Sequence, residues 1–215
     1  MAGNKKKETV TKPDKIMKKL IVSAISFFIL TLWIYGQQSA PKPFSFKSGI
    51  VEYKYSGDKT GKSIQYIDDY GMKTAMYSEI TQDGETTESW VVAYGDYQYM
   101  WDPNQPDQGM KMKNPLLAWI KEASKDDMES FTISSYEKMG MVKSGKETFL
   151  GKECTVIKGD MGKVLIWKGI MMLMDFRMGA YVSKQEATSV KTDVPVDQKY
   201  FAVPKNITFS EMPGL

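Results

Sequence analysis

Short runs of alternating apolar and polar residues, separated by glycine-containing turns, recur along the chain from residue 50 onwards. In Ile50–Tyr55 the side chains of Val51, Tyr53 and Tyr55 fall on one face of an extended chain. Four further runs of the same kind follow, at residues 62–68, 72–80, 88–94 and 97–101. The Asp83-Gly84 pair between two of these runs is a hairpin signal. The pattern therefore predicts five strands joined by tight turns.

One or two short helices are predicted between this set of strands and a second one. Asn114 is a typical N-cap and Pro115 suits the first helical position, which predicts a helix from about Pro115 to Ala123. A second helix is predicted over residues 134–140, ended by Gly140. Strands resume at residues 153–158, 163–168, 171–178 and 181–191, and the tail supplies a last one. We expect a mainly β fold of about ten antiparallel strands, because hairpin turns connect most neighbours.

The excess positive charge of the chain lies in its first forty residues. They carry seven lysines and two acidic residues, a net charge of +5, whereas the remaining 175 residues carry −2. The uncharged run Leu20–Tyr35 follows Lys18 and Lys19 directly, which is the layout of an export signal. A cleaved signal peptide, an uncleaved membrane anchor at residues 16–36 and a buried core helix are the three alternatives. A sixteen-residue helix spans about 24 Å, short of a hydrocarbon core of about 30 Å, which favours cleavage.

These observations divide the chain into three parts. Residues 1–40 are predicted to be a signal peptide or signal anchor, residues 41–47 a linker, and residues 48–215 a single β domain. Both export alternatives place that domain in the periplasm or the outer envelope, with inner-membrane anchoring if the signal is not cleaved.

The lack of histidine and the scarcity of cysteine and arginine limit the chemistry available to the chain. Histidine is absent and Cys154 is the single cysteine, which excludes Ser-His-Asp and Cys-His catalysis, histidine zinc sites and intrachain disulfides. Arg177 is the single arginine among 29 basic residues. Because bidentate contacts to phosphate and guanine prefer arginine, a nucleic-acid partner is disfavoured. We predict no enzymatic activity, no cofactor and no metal.

Several short motifs resemble a known group of exported proteins. They are Glu147–Cys154 (ETFLGKEC), Ile166–Ile170 (IWKGI), Glu186–Thr188 (EAT), Phe201–Pro204 (FAVP) and the hairpin Trp90–Trp101. With these motifs, residues 48–210 resemble uncharacterised exported bacterial proteins, common in the Bacteroidetes, that are grouped near the outer-membrane lipoprotein carrier (LolA/LolB-like) superfamily.

The resemblance implies a particular shape and function. It implies a strongly curved antiparallel sheet, a half-barrel, with helices against its concave face and an apolar cavity for acyl chains or another hydrophobic ligand. The carriers resemble one another in having a functional arginine in an early strand, whereas no arginine precedes Arg177 here. This departure argues against the lipoprotein-transfer cycle itself.

Methionine and tryptophan are the side chains predicted to line such a cavity. Thioethers adapt to flexible ligands, and a buried indole N–H needs a hydrogen-bond partner. The candidate cavity residues are Met72, Met76, Trp90, Val92, Trp101, Trp119, Trp167, Met172 and Met174. Ordinary core packing is the alternative for all of them. Thioethers also bind Cu(I), which the absence of histidine and cysteine beside the methionine clusters disfavours.

Three function classes are compatible with these features. The favoured one is a non-enzymatic exported binding or carrier protein for a lipid-like or other hydrophobic ligand in the bacterial envelope. The alternative is a membrane-anchored structural or interaction module with envelope proteins as partners. A hydrolase is disfavoured, because without histidine it needs a Ser-Lys dyad or a carboxylate pair, and Ser144 and Lys146 have the wrong spacing.

Overall fold

The computed structural model describes residues 42–105, 107–122 and 128–211, which all belong to one compact unit, Pro41–Leu215. The predicted export segment, residues 1–40 with the membrane-contact stretch 16–36, lies outside the described residues. Within the described ranges, no helix combines the length and the apolar character needed to cross a bilayer.

Twelve strands form one open, curled sheet. They are β1 (Gly49–Gly57), β2 (Lys59–Asp68), β3 (Lys73–Gln82), β4 (Glu85–Tyr94), β5 (Tyr97–Trp101), β6 (Gln108–Lys113), β7 (Val142–Phe149), β8 (Lys152–Gly159), β9 (Gly162–Trp167), β10 (Ile170–Met178), β11 (Tyr181–Thr192) and β12 (Thr208–Glu211). Two helices, α1 (Pro115–Glu122) and α2 (Met128–Lys138), and two 3₁₀ turns, Asp69–Gly71 and Gln198–Phe201, complete the described structure. The prediction of a mainly β, curved sheet with few short helices is confirmed.

The sheet is built from two meanders that meet at its centre. The spatial order of the strands is β12-β6-β5-β4-β3-β2-β1-β11-β10-β9-β8-β7. The first meander, β1 to β6, and the second, β7 to β11, are joined by antiparallel pairing of β1 with β11. The last strand departs from the antiparallel expectation, since β12 pairs with β6 in parallel, with Thr208 opposite Gln108. Parallel neighbours need a long connection, and the chain between β6 and β12 is residues 114–207. Its last part, residues 193–207, leads from β11 at the centre of the sheet to β12 at its edge.

The structure has two more strands than the ten or so predicted, and both β6 and β7 were missed. Every residue of β7 except Phe149 is exposed, and this strand lies at the edge of the sheet. It therefore has no apolar alternation from which a strand could be predicted. The six-residue β6 follows a proline-containing loop and alternates methionine with lysine at Met110–Lys113.

The two faces of the first meander are defined by its cross-strand register, because directly opposed residues share a face. Thr74, Ala93 and Gln98 are paired in succession across β3, β4 and β5, and we call their side the helix face. Tyr77, Trp90 and Trp101 are paired in the same way on the other side, the opposite face. Both faces are covered by other parts of the chain.

On the opposite face, aromatic rings pack against the returning C-terminal segment. Tyr66 stacks on Tyr200 with ring centroids 3.9 Å apart, and Trp90 lies parallel to Trp101 at 6.2 Å. Phe201 is buried in the same cluster, beside Val92. The segment 196–203 thus closes a second core on this side of the sheet.

Helix α2 packs on the second meander. Its Ile133 and Tyr136 contact a cluster formed by Met141, Ile157, Val164 and Ile166, which are all almost fully buried. The Thr155 hydroxyl donates a hydrogen bond to Glu129 of α2 at 2.9 Å. The helix starts earlier than predicted, at Met128, and a turn with Gly140 at φ +84° follows its end.

The stretch predicted as a linker is residues 41–47, and its described part, residues 42–47, is packed into the domain. Phe44 and Phe46 belong to the main core cluster, with exposed fractions of 7% and 3%. The Phe44 amide donates to the Tyr70 carbonyl at 2.9 Å, and the Met128 amide donates to the Pro43 carbonyl. The proline-containing composition suggested a tether, but the two phenylalanines bury a large apolar area that holds the stretch against the sheet.

Candidate functional site

A cavity of about 280 Å³ lies between the two helices and the helix face of the first meander. An apolar cavity of about 150 Å³ is already enough to hold benzene, so this one has room for a larger molecule. The lining residues are Phe44, Gln65, Gly71, Thr74, Ala93, Gln98, Asn114, Pro115, Leu116, Trp119, Met128 and Phe131.

Helix α1 supplies one wall of the cavity, and its start is fixed by Asn114. The Asn114 side-chain oxygen accepts a hydrogen bond from the Leu116 amide at 3.1 Å, as an N-cap does. The Asn114 side-chain nitrogen donates to the Gly95 carbonyl at 3.0 Å, which ties the helix to the β4–β5 turn. This anchor positions Trp119, which is 4% exposed and meets the Phe131 ring edge-to-face.

Phe44 supplies a second wall and is held by the turn between β2 and β3. Asp69, Tyr70 and Gly71 in this turn have φ values of +48°, +57° and +91°. The Tyr70 amide donates to the Lys47 carbonyl, so the turn is bonded to the chain on both sides of Phe46. A Cβ atom at position 71 would lie 2.3 Å from Cδ2 of Phe44, which explains why glycine stands there.

The floor of the cavity carries side-chain amides from the sheet. The Tyr53 hydroxyl donates a hydrogen bond to Oε1 of Gln65 at 3.2 Å. Burial raises the pKa of Tyr53 well above its ordinary value, so this phenol remains a donor. Nε2 of Gln98 contacts the sulfur atoms of Met100 and Met112, at 3.7 and 3.8 Å.

None of the described residues that line the cavity is charged. Aromatic, aliphatic and thioether groups form most of the walls, and the polar groups are amides and the Thr74 hydroxyl. Burying an unpaired charge in such surroundings is costly, whereas an apolar surface is favoured. The cavity can therefore accommodate an apolar molecule with a small uncharged polar group. In the described part of the chain there is no cluster of three or more His, Cys, Asp or Glu side chains arranged for a metal ion.

Of the nine predicted cavity residues, Trp119 lines the cavity. Met76 lies on the helix face in the neighbouring row, opposite Gln65 and Val91. Trp90, Val92 and Trp101 lie on the opposite face, so they do not share a cavity with Trp119.

The remaining four predicted residues are elsewhere in the fold. Met72 is half-buried at the end of the first 3₁₀ turn. Met172 is fully buried in the main core, and Met174 packs in the cluster beneath α2. Trp167 is half-buried at the edge of the main core, with the Lys152 ammonium 4.0 Å from its ring centroid. The surroundings of Met172, Met174 and Trp167 are those of core residues.

The sequence reasoning missed Phe44 and the amide residues Gln65, Gln98 and Asn114. Phe44 was missed because its stretch was interpreted as a linker. For Gln65 and Gln98 a signal existed, since each is an amide inside a predicted strand. Asn114 was recognised as a helix cap but not as a wall of the cavity.

Cys154 is buried, and its thiol contacts the Lys152 carbonyl. Burial raises the pKa of this thiol, so less thiolate is present at any given pH than for an exposed cysteine. We expect Ellman's reagent at pH 8 to label Cys154 only on the timescale of unfolding, and rapidly in concentrated urea. Rapid labelling of the folded protein would contradict the burial of this side chain.

Comparisons with known proteins identify the fold but no family. No family model matches the chain, and no curated protein matches it. A solved structure of an uncharacterised conserved protein from Thermus thermophilus superimposes with a TM-score of 0.52 at 7% identity, over 78% of this chain and 92% of that one. The two chains share a fold. This identity is too low to carry function from one chain to the other.

Two structures of PNGF-II also align with the chain. Their TM-scores are 0.41 and 0.40, both at 14% identity and over 77% of this chain. The aligned part covers about a third of PNGF-II, 32% and 31% respectively. The resemblance to lipoprotein carriers stays a prediction.

Proposed function

We propose that this chain is a non-enzymatic binding or carrier protein for a lipid-like or other hydrophobic ligand, exported to the bacterial envelope. The observation that carries the proposal is the cavity of about 280 Å³ between α1, α2 and the sheet, whose described lining residues are uncharged and largely apolar. Binding sites for small molecules are typically concave and mostly apolar, with a few polar groups that orient the ligand.

The sequence supports a location in the bacterial envelope. The lysine-rich start followed by the uncharged run Leu20–Tyr35 is typical of an export signal. The absence of histidine supports binding over catalysis, because the commonest general base is missing. We propose the envelope as the site of action and a hydrophobic small molecule, rather than a nucleic acid, as the partner.

Native mass spectrometry of the full chain purified from a bacterial envelope fraction tests the proposal. We expect a bound amphiphile that adds to the protein mass and is removed by organic extraction. The extracted protein should then bind an added eight-carbon amphiphile with 1:1 stoichiometry. A chain that carries no small molecule and binds no such probe after extraction would overturn the proposal.

The opposite face favours a second candidate, a membrane-anchored interaction module. Trp90, Trp101 and Tyr99 form a row of half-buried aromatic side chains there, and aromatic residues are enriched at protein interfaces. This candidate predicts full-mass protein in the membrane fraction that cross-links to an envelope protein through this row. In the experiment above it predicts no extractable amphiphile.

A further inference from the structure

We infer that the ligand of this cavity is an uncharged amphiphile whose polar group accepts hydrogen bonds, such as an ester, rather than a free carboxylate. The inference rests on the proposed function, because it names the chemical class of ligand for the same cavity. Three observations lead to it. The described lining residues carry no charge, the Gln65 amide has a donor group left for a ligand, and the Trp119 indole N–H has no hydrogen-bond partner in the described structure.

The described part of the lining disfavours a charged ligand. No lysine, arginine, aspartate or glutamate stands among the described residues that line the cavity. A carboxylate headgroup in this position would lose its hydration without gaining a counter-charge, and it would bind only as the protonated acid. A neutral headgroup of the same size does not meet this cost.

Among the amides of the lining, Gln65 leaves a donor for the ligand. Both polar groups of Asn114 are committed, the oxygen to the Leu116 amide and the nitrogen to the Gly95 carbonyl. Oε1 of Gln65 accepts from the Tyr53 hydroxyl. The NH₂ group of Gln65 is then left to bind a ligand, and an amide NH₂ group donates hydrogen bonds.

Trp119 adds a second donor. Its Nε1 is buried and has no hydrogen-bond partner in the described structure. A buried polar group without a partner is costly, and an indole N–H can only donate. The nitrogen is shielded from solvent, so the indole has to turn toward the cavity to reach a ligand. A ligand with hydrogen-bond acceptors would satisfy the Gln65 donor and, once the indole has turned, the Trp119 donor as well.

The test compares three probes that share an eight-carbon chain: methyl octanoate, sodium octanoate at pH 8, and octane. The full chain is labelled with ¹⁵N, and the Trp119 indole resonance is the one that disappears in Trp119→Phe. We expect methyl octanoate to bind at least about tenfold more tightly than octanoate. It should also move the Trp119 indole proton downfield, and octane should leave that proton unmoved.

Two variants separate the hydrogen bonds from the shape of the cavity. Trp119→Phe keeps an aromatic ring, and Gln65→Met keeps the length of the side chain, but each removes one donor. We expect each to weaken methyl octanoate binding about threefold to tenfold more than it weakens octane binding, which is the usual net contribution of one hydrogen bond. Trp167→Phe, outside the cavity, is the matched control and should have no effect on either probe.

The outcomes distinguish this inference from the proposed function. If octanoate binds as tightly as its ester, or if the ester leaves the Trp119 indole proton unmoved, the inference is wrong while a hydrophobic binding site still stands. If none of the three probes binds, the proposed function fails with it.

Discussion

Replacing Ala93 with phenylalanine should abolish ligand binding while leaving the fold intact. Ala93 is the next-to-last residue of β4, on the helix face, with Thr74 opposite on one side and Gln98 on the other. All three side chains line the cavity. A phenyl ring at this position would occupy the space between the sheet and α1 that a ligand needs.

The expected loss of methyl octanoate affinity is at least about a hundredfold, equivalent to about 2.8 kcal/mol. Isothermal titration of the full-length protein measures it. Because the ring enters existing space, the free energy of unfolding should change by less than about 1.5 kcal/mol, at the lower end of the cost of overpacking. Urea denaturation followed by circular dichroism measures this second quantity.

Val91→Phe is the matched control. Val91 lies two residues earlier on the same strand and the same face, opposite Met76 and Met100, and it is not among the cavity residues. This variant should bind methyl octanoate like the unaltered protein. Equal binding by both variants would show that the ligand occupies another part of the molecule.

The sheet was largely predictable from sequence because its strands carry a clear alternation. β8 was predicted from the alternation of Cys154 and Val156, and both side chains are buried in the main core. The edge strand β7 was not predictable in this way, because its exposed residues need no apolar pattern. The pairing of β12 with β6 joins segments about a hundred residues apart, so no local signal indicates its parallel direction.

The site was less predictable, because the first meander buries apolar residues on both of its faces. Alternation shows that Trp90 and Val92 share a face, but it does not show which face the helices cover. That depends on where α1 is anchored, which is set by the bond between Asn114 and the Gly95 carbonyl. Trp119 was predicted by the same indole argument as Trp90, Trp101 and Trp167, which the structure places elsewhere.

Gly71→Ala should destabilise the protein by about 2–5 kcal/mol, the sum of backbone strain and a clash. A residue with a side chain at φ +91° costs about 1–2 kcal/mol in strain. The new Cβ atom would also lie 2.3 and 2.7 Å from Cδ2 and Cε2 of Phe44. Retreat toward Gly169 is limited, because a Cβ atom there would lie 3.1 Å from Cε1 of the ring, and retreat into the cavity would narrow the ligand site.

Gly84→Ala separates the two costs. Gly84 has a similar backbone conformation, with φ +83°, but a Cβ atom there would have no neighbour within 4 Å. Backbone strain alone should destabilise this variant, by about 1–2 kcal/mol in the same urea denaturation. The difference between the two variants then measures how firmly Phe44 is held against the turn.

Phe44→Leu tests whether the clash is with the Phe44 ring. Alone, it should destabilise the protein, because a buried ring loses contacts. The double variant with Gly71→Ala should lose less unfolding free energy than the sum of the losses in the two single variants, because the smaller side chain relieves the overlap. Strict additivity, or equal losses in Gly71→Ala and Gly84→Ala, would mean that Phe44 is not fixed as the wall of the cavity. A fixed wall matters because a preformed cavity spends less binding energy on ordering its own side chains than one that assembles around the ligand.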